Sequence, residues 1–315
     1  MTGRYRTTLT GPFPRPEALV QATRDLDRGR IPLEKGEEAF SQAEHEVLRV
    51  EADLGLDATT GGYLRWQDLF RPFSRLWTGV TTGPLTRFFE TNTFFRQPVL
   101  EARPRPGNGS LAEWLPRGPN ARAILPGPYT FAHLADVRYR AETPASVTLD
   151  IADALATELR ALGPARPASV QFQEPLLAYA PPKGAEQELA EAYRRIADGA
   201  GGVPVSIWTY FGDAGPMLPS LARLPVDAIG FDLFATTVPP GTPWGTKGLG
   251  LGCVDPTVTT AEDPKAVAEL VRAAEAALRP PLVWLGPNPP LDLLPFDSAV
   301  AKLKVLPELR KGLER

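Results

Sequence analysis

Eight short apolar runs alternate with stretches of helical period along this chain, and that alternation restricts the fold more than any other feature. The runs fall at residues 7–13, 58–63, 123–129, 169–174, 204–211, 228–234, 248–255 and 281–288. Most are apolar almost throughout, the pattern of strands buried on both faces of a parallel sheet. Pro16 and Glu17 open a helix after the first run, with proline early and an acid in the first turn. Residues 33–55 carry Phe40, Val47, Leu48 and Leu54 at helical spacing, and Gly55 ends them. Residues 146–162 place Ile151, Leu155, Leu159 and Leu162 on one face. Shorter helical stretches cover 69–76, 185–197, 217–221, 264–278 and 297–303. Residues 81–118 break the rhythm and read as a hairpin excursion.

Eight such units predict one α/β domain over residues 1–315, a (β/α)8 TIM barrel with its site at the C-terminal ends of the strands. A doubly wound open sheet is the alternative. Its phosphate-binding fingerprint is missing, because GPFPRP follows the first run and no GxxxxGK[ST] occurs. The glycine-rich GLGLGC lies inside the seventh run. Hydrophobic residues make up 43% of the chain, enough for a large core, and the net charge of -3 without a basic run argues against nucleic acid. The 35 prolines, more than the usual share of about 5%, fall mostly between apolar runs and read as loop stiffeners. No run approaches the roughly 20 apolar residues that span a membrane, and no signal-peptide pattern is present. The expectation is a cytoplasmic protein with a small-molecule substrate. No feature indicates a protein partner.

The strand ends supply the candidate chemistry. Glu174 ends the fourth run, and an unpaired carboxylate there is costly to bury, so it reads as the floor of a substrate site. The alternative is a salt bridge to Arg65 or Arg96. Gly11, Tyr63, Gln173 and Asp232 stand at other strand ends and are expected to bind substrate with it. Asp232 could equally cap the segment after its strand, and Asp255 reads as a loop residue. Trp66, Trp208 and Tyr210, with Tyr63, could stack on a flat ligand or simply fill space. No Ser-His-Asp set occurs, and no catalytic residue is assigned. His45 reads as solvated, His133 as locally packed, and Cys253 as a small buried hydrophobe.

Seven stretches in order resemble the cobalamin-independent methionine synthase family, and specifically the catalytic C-terminal barrel and its short archaeal-type core enzymes. They are TTLTGPFPR (7–15), GGYLRWQD (61–68), RFFETNTFFRQPV (87–99), LPGPYT (125–130), VQFQEPLL (170–177), GLGCVD (250–255) and PNPPLDLLP (287–295). The resemblance implies a TIM barrel and methyl transfer to homocysteine from a methylated folate or another carrier. It also implies zinc, bound through a His-x-Cys pair, a Glu and a final Cys. Those ligand positions match Ile207, Thr209, Asp232 and Pro289 here, so three of four donors are non-coordinating or very weak. The serine of the family's first turn is Pro12, and the Asp preceding Glu174 is Gln173. Two expectations follow. One is an S-methyltransferase-like enzyme. The other is a zinc-free derivative that binds a small amino acid or pterin-like ligand for another reaction, or as a sensor or accessory protein.

Overall fold

The computed structural model describes residues 3–107, 109–141 and 143–315. Among these residues ten strands occur in chain order: β1 (Tyr5–Thr7), β2 (Trp77–Arg87), β3 (Phe94–Pro106), β4 (Arg122–Pro126), β5 (Asp136–Val137), β6 (Ser169–Gln173), β7 (Val205–Trp208), β8 (Ala228–Asp232), β9 (Gly248–Gly252) and β10 (Val283–Gly286). Seven form one parallel sheet in the order β1-β10-β9-β8-β7-β6-β4. Two parallel bridges join its edges through one short segment: Thr8 pairs with Ala58, and Thr59 pairs with Ala121. The Arg122 N–H donates to the Thr59 carbonyl at 2.8 Å, and the Ala58 N–H to that of Thr7 at 3.2 Å. The sheet therefore closes into an eight-membered barrel whose second member is only two residues long. The run at 58–63 was expected to be a full strand. Instead Gly61–Tyr63 turns away as a 3-10 turn, with Gly62 and Tyr63 at φ 73° and 57°. The first strand also lies earlier than the 7–13 expected, at Tyr5–Thr7.

The helices are α1 (Glu17–Asp27), α2 (Leu33–Asp53), α3 (Arg71–Leu76), α4 (Pro128–Leu134), α5 (Pro144–Ala161), α6 (Leu176–Tyr179), α7 (Glu186–Ala200), α8 (Leu218–Leu221), α9 (Pro264–Leu278), α10 (Phe296–Leu303) and α11 (Val305–Leu313). None is long and apolar enough to cross a membrane. α7 shows why such segments fold where they do. Leu189, Ala192, Tyr193 and Ile196 recur at helical spacing and are fully buried, and Gly201 ends the helix in the left-handed region. A Cβ at Gly199 would lie 2.6 Å from the Ala156 Cα, so glycine there lets α7 cross close to α5. The excursion is an antiparallel pair, β2 with β3, extended by β5 along β3. Its strands begin at Trp77, four residues before the expected start, and its tip (88–93) lies over the C-terminal mouth.

Alternation along the strands decides what fills the barrel. Gln171 and Gln173 of β6 both donate to the carbonyl of Thr10, on the far side of the lumen, the first at 2.7 Å. Trp208 of β7 lies flat over β8 and β9: a Cβ at Gly230 would come within 2.3 Å of its ring, and one at Gly250 within 2.5 Å. Gly250 of GLGLGC thus faces inward to admit Trp208, while Leu249, Leu251 and Cys253 pack outward, fully buried. The motif is a strand interior, not a nucleotide loop.

Candidate functional site

A cleft opens at the C-terminal mouth, between the strand ends and the hairpin tip. Its inner part is narrow, about 40 Å³, and is lined by Gln173, Tyr210, Asp292, Pro12, Phe88 and Phe94, among others. Its outer part, about 320 Å³, shares Pro12, Phe94 and Asp292 and adds Arg15, Tyr63, Trp66 and Phe296. The outer volume is of the order that suits a small organic ligand.

The polar groups of the inner cleft are incompletely satisfied. The Gln173 Nε2 is spent on Thr10, but its Oε1 is buried without a partner. Asp292 Oδ1 is likewise buried and unpartnered. Burial raises the Asp292 carboxyl to about 6, opposed by the charge of Arg15. Arg15 is itself pushed down by burial, and Asp292 counteracts this. Tyr210 stands beside them, its hydroxyl pushed up by burial and then by the charges of Asp292 and Glu174. Two orphaned acceptors, one of them on a carboxylate, thus face one cleft with a guanidinium in its wall, and buried acceptors of this kind call for a donor from a ligand or solvent. Asp68 also lines the cleft but is committed. Its Oδ1 accepts from the N–H groups of Phe70 and Arg71 at 2.9 and 2.8 Å, and its Oδ2 from that of Arg96 at 3.2 Å.

The expected site residues separate in the structure. Gln173 and Tyr210 meet in the inner cleft, and Gly11 backs it, because a Cβ there would lie 2.8 Å from Pro289 and 3.7 Å from the Gln173 amide. Tyr63 and Trp66 reach only the outer cleft, with their polar atoms used elsewhere. The Tyr63 hydroxyl accepts from the N–H of Ile124, replacing the strand pairing lost where residues 61–63 turn away. The Trp66 indole donates to the Trp114 carbonyl at 2.7 Å. Trp208 lies one layer deeper, as filling. Asp232 stabilises the turn after β8, its Oδ1 accepting from Phe234 and Ala235 at 2.8 and 3.2 Å. The stacking wall of four aromatics is therefore not assembled.

Glu174 is the main correction. It does not form the floor of the cleft. In β6, Gln171 and Gln173 point into the lumen, so Phe172 and Glu174 point out toward the helices, and Phe172 packs edge-on against Tyr193 at 5.9 Å. Glu174 Oε1 accepts from the Tyr129 N–H at 3.1 Å and the Tyr193 hydroxyl at 3.0 Å, and Oε2 from the Thr130 N–H at 2.8 Å. The carboxylate satisfies the free amides of the first turn of α4 and ties them to α7. A Cβ at Gly127 would lie 2.1 Å from the Glu174 Cδ, so that glycine admits the carboxylate. Burial raises Glu174 to about 7 despite these donors. The alternative pairing with Arg65 is not made either, because Arg65 binds Glu44 at 2.7 Å and also Glu37.

The zinc positions implied by the resemblance do not form a ligand set. Ile207 is fully buried on the helix side of β7, one residue out of step with the lumen-facing Trp208. Thr209 donates its hydroxyl to the Gly230 carbonyl at 3.1 Å. Pro289 has no donor side chain, and Asp232 alone is left. Among the described residues no three His, Cys, Asp or Glu side chains converge. The residues present do not fit a tetrahedral zinc. His133 packs on Tyr129 with ring centroids 3.9 Å apart, and burial pushes the Cys253 thiol up to about 12.

Sequence reasoning missed Asp292 and Arg15. Both lie in stretches it had singled out, PNPPLDLLP and TTLTGPFPR. A carboxylate among prolines and leucines just past the last strand carries the same signal that drew attention to Glu174.

Comparison with known proteins agrees with this architecture. Residues 67–278 match the family described as cobalamin-independent synthase, N-terminal domain. That is the family's N-terminal domain, not the C-terminal barrel that the motifs resemble. A methionine synthase of Sulfolobus acidocaldarius is 26% identical over 308 residues, covering 94% of this chain and 88% of that one. One from Saccharolobus islandicus is 26% identical over 325 residues, covering 98% and 96%. The structure of a B12-independent methionine synthase from Shewanella sp. W3-18-1, in complex with selenomethionine, superposes with a TM-score of 0.77 at 16% identity, covering 98% of this chain and 97% of that one. By the family match over residues 67–278, the chain belongs to the cobalamin-independent methionine synthase family.

Proposed function

We propose that this protein is a zinc-independent member of its family that binds a small α-amino acid in the mouth cleft. The observation that carries the reading is the pair of buried, unpartnered acceptors, Gln173 Oε1 and Asp292 Oδ1, in a cleft that Arg15 also lines. An ammonium group would meet Asp292 and Gln173, and a carboxylate would meet Arg15. The aromatic rings of Phe88 and Phe94 would cover an apolar side chain. The selenomethionine held by the Shewanella protein is a ligand of this class.

Methyl transfer to homocysteine, which the relatives' names suggest, requires a thiolate. In a zinc enzyme the metal lowers the thiol pKa. The four positions where this chain would hold that metal offer one carboxylate, itself engaged by two backbone N–H groups. The amino-acid-binding reading therefore stands without the transfer step.

Calorimetric titration of L-methionine and L-homocysteine, with EDTA and then with zinc, tests this. Saturable binding in EDTA, weakened about tenfold or more in Asp292→Asn, is expected. Stoichiometric tight zinc binding that homocysteine requires would overturn it.

A further inference from the structure

The opposite end of the barrel holds a second depression, of about 330 Å³. It exists because the lowest layer of the lumen is made mostly of small residues: Ala58, Ser169, Ser206, Ala228 and Gly248 all line it. A barrel of this type ordinarily fills its layers with bulky branched side chains. Here the large side chains of that layer are Arg6, Arg122 and Trp284.

Both guanidiniums lie over one indole. Arg122 sits 3.9 Å from the Trp284 ring centroid and Arg6 5.5 Å from it. Arg122 is 3% exposed, and its one side-chain bond runs from Nε to the Ser169 hydroxyl at 3.2 Å. The Arg6 Nε is buried without a partner. Neither arginine has a carboxylate within salt-bridge distance among the described residues. Two carboxylates line the rim, and both are committed. Asp57 Oδ2 accepts from the Thr7 N–H at 2.8 Å and from Arg310 at 2.9 Å, and Asp227 Oδ2 from the Val205 N–H at 2.8 Å. Burial and the charge of Arg6 together push the Arg122 guanidinium down to about 9.

Two like charges over one ring, one of them almost fully buried, are costly unless a counter-charge joins them, and arginine does not escape by losing its proton at neutral pH. A ring face compensates only part of that cost. We infer that the N-terminal end of the barrel is a second ligand site, in which Arg6 and Arg122 jointly bind a small oxyanion, a phosphate or carboxylate group, beside Trp284. The planar forks of two arginines suit several oxygens on one centre. The site is separate from the mouth cleft, since the two share no lining residue.

Calorimetric titration with inorganic phosphate, and separately with succinate, at constant ionic strength against chloride, tests the inference. Saturable one-to-one binding of one of them is expected, and the stronger ligand identifies the source of the oxyanion. Affinity should fall about tenfold or more in Arg6→Gln, whose side chain is half-exposed and whose loss the fold tolerates better, and in Arg122→Met. L-Methionine binding at the mouth should be unchanged in Arg6→Gln. Heats that do not saturate with either anion, equal competition by chloride, or unchanged affinity in Arg6→Gln would each overturn it.

Discussion

At the residue scale, two carboxylates just past different strand ends do different work. Asp292 faces the cleft, and Glu174 faces the helices. Asp292 has its carboxyl raised to about 6 by burial. An ammonium ligand binds only its ionised form, so amino-acid affinity should decline as pH falls through about 6, approaching tenfold per unit below it. Titration of L-methionine across pH 5 to 8 reads this directly, and a flat profile would remove Asp292 from the site. Burial raises Glu174 to about 7 from its ordinary value of 4.5. Its folded form holds a proton that the unfolded chain has released between those values. Its contribution to stability therefore falls as pH rises through that window and levels off above about 7. Glu174→Gln should flatten this slope. It also turns one acceptor toward backbone N–H groups into a donor, costing about 1–3 kcal/mol by denaturant unfolding. L-Methionine binding should survive. Loss of binding with unchanged stability would return Glu174 to the ligand.

At the element scale, β7, β8 and β9 act as one unit, with Trp208 lying across the glycines of the other two. A methyl group at Gly250 would stand 2.5 Å from the Trp208 ring and 2.8 Å from the Gly230 Cα. The backbone of β8 cannot withdraw without breaking its pairing with β7, so Gly250→Ala should destabilise the protein by about 1–3 kcal/mol or more. Combining it with Trp208→Phe should recover part of the loss, because the two changes share one space. Additive losses in thermal or chemical unfolding would argue against this packing. The glycine repeat was legible in the sequence, and so was its place in a strand. Its purpose was not, because the side chain that needs the space is supplied by a strand about forty positions earlier.

At the scale of the whole molecule, closure depends on contacts between distant parts of the chain. The two-residue link at 58–59 joins the sheet edges, and the C-terminal helices lock the last turn of the barrel. Lys302 of α10, 1% exposed, binds Glu262 at 2.8 Å, and Glu262 also accepts from the Asp255 N–H at 2.8 Å. Lys302→Met would leave a buried carboxylate uncompensated, an expected loss of about 3–5 kcal/mol. Adding Glu262→Gln should restore much of it. A loss of under about 1 kcal/mol for Lys302→Met in denaturant unfolding would show the pair to be solvated. The hairpin is the other feature at this scale. Its presence was readable from the break in rhythm, though its strands run over Trp77–Pro106 and not 81–118, and its position over the mouth makes Phe88 and Phe94 walls of the cleft.

The sequence alone determined the alternation of strands and helices, the hairpin, and the family resemblance, because each is written in local pattern or residue identity. Only the tertiary structure decided which way each strand faces. A parallel strand buried on both sides is apolar on both, so its pattern has period two but no sign. A shift of one residue exchanges lumen for helix layer, which is why Glu174 and Ile207 turned outward while Gln173 and Trp208 turned in. Asp292 and Arg15 share a cleft only because the barrel closes, bringing residues 277 positions apart to one mouth. The same closure leaves Arg6 and Arg122 together at the other.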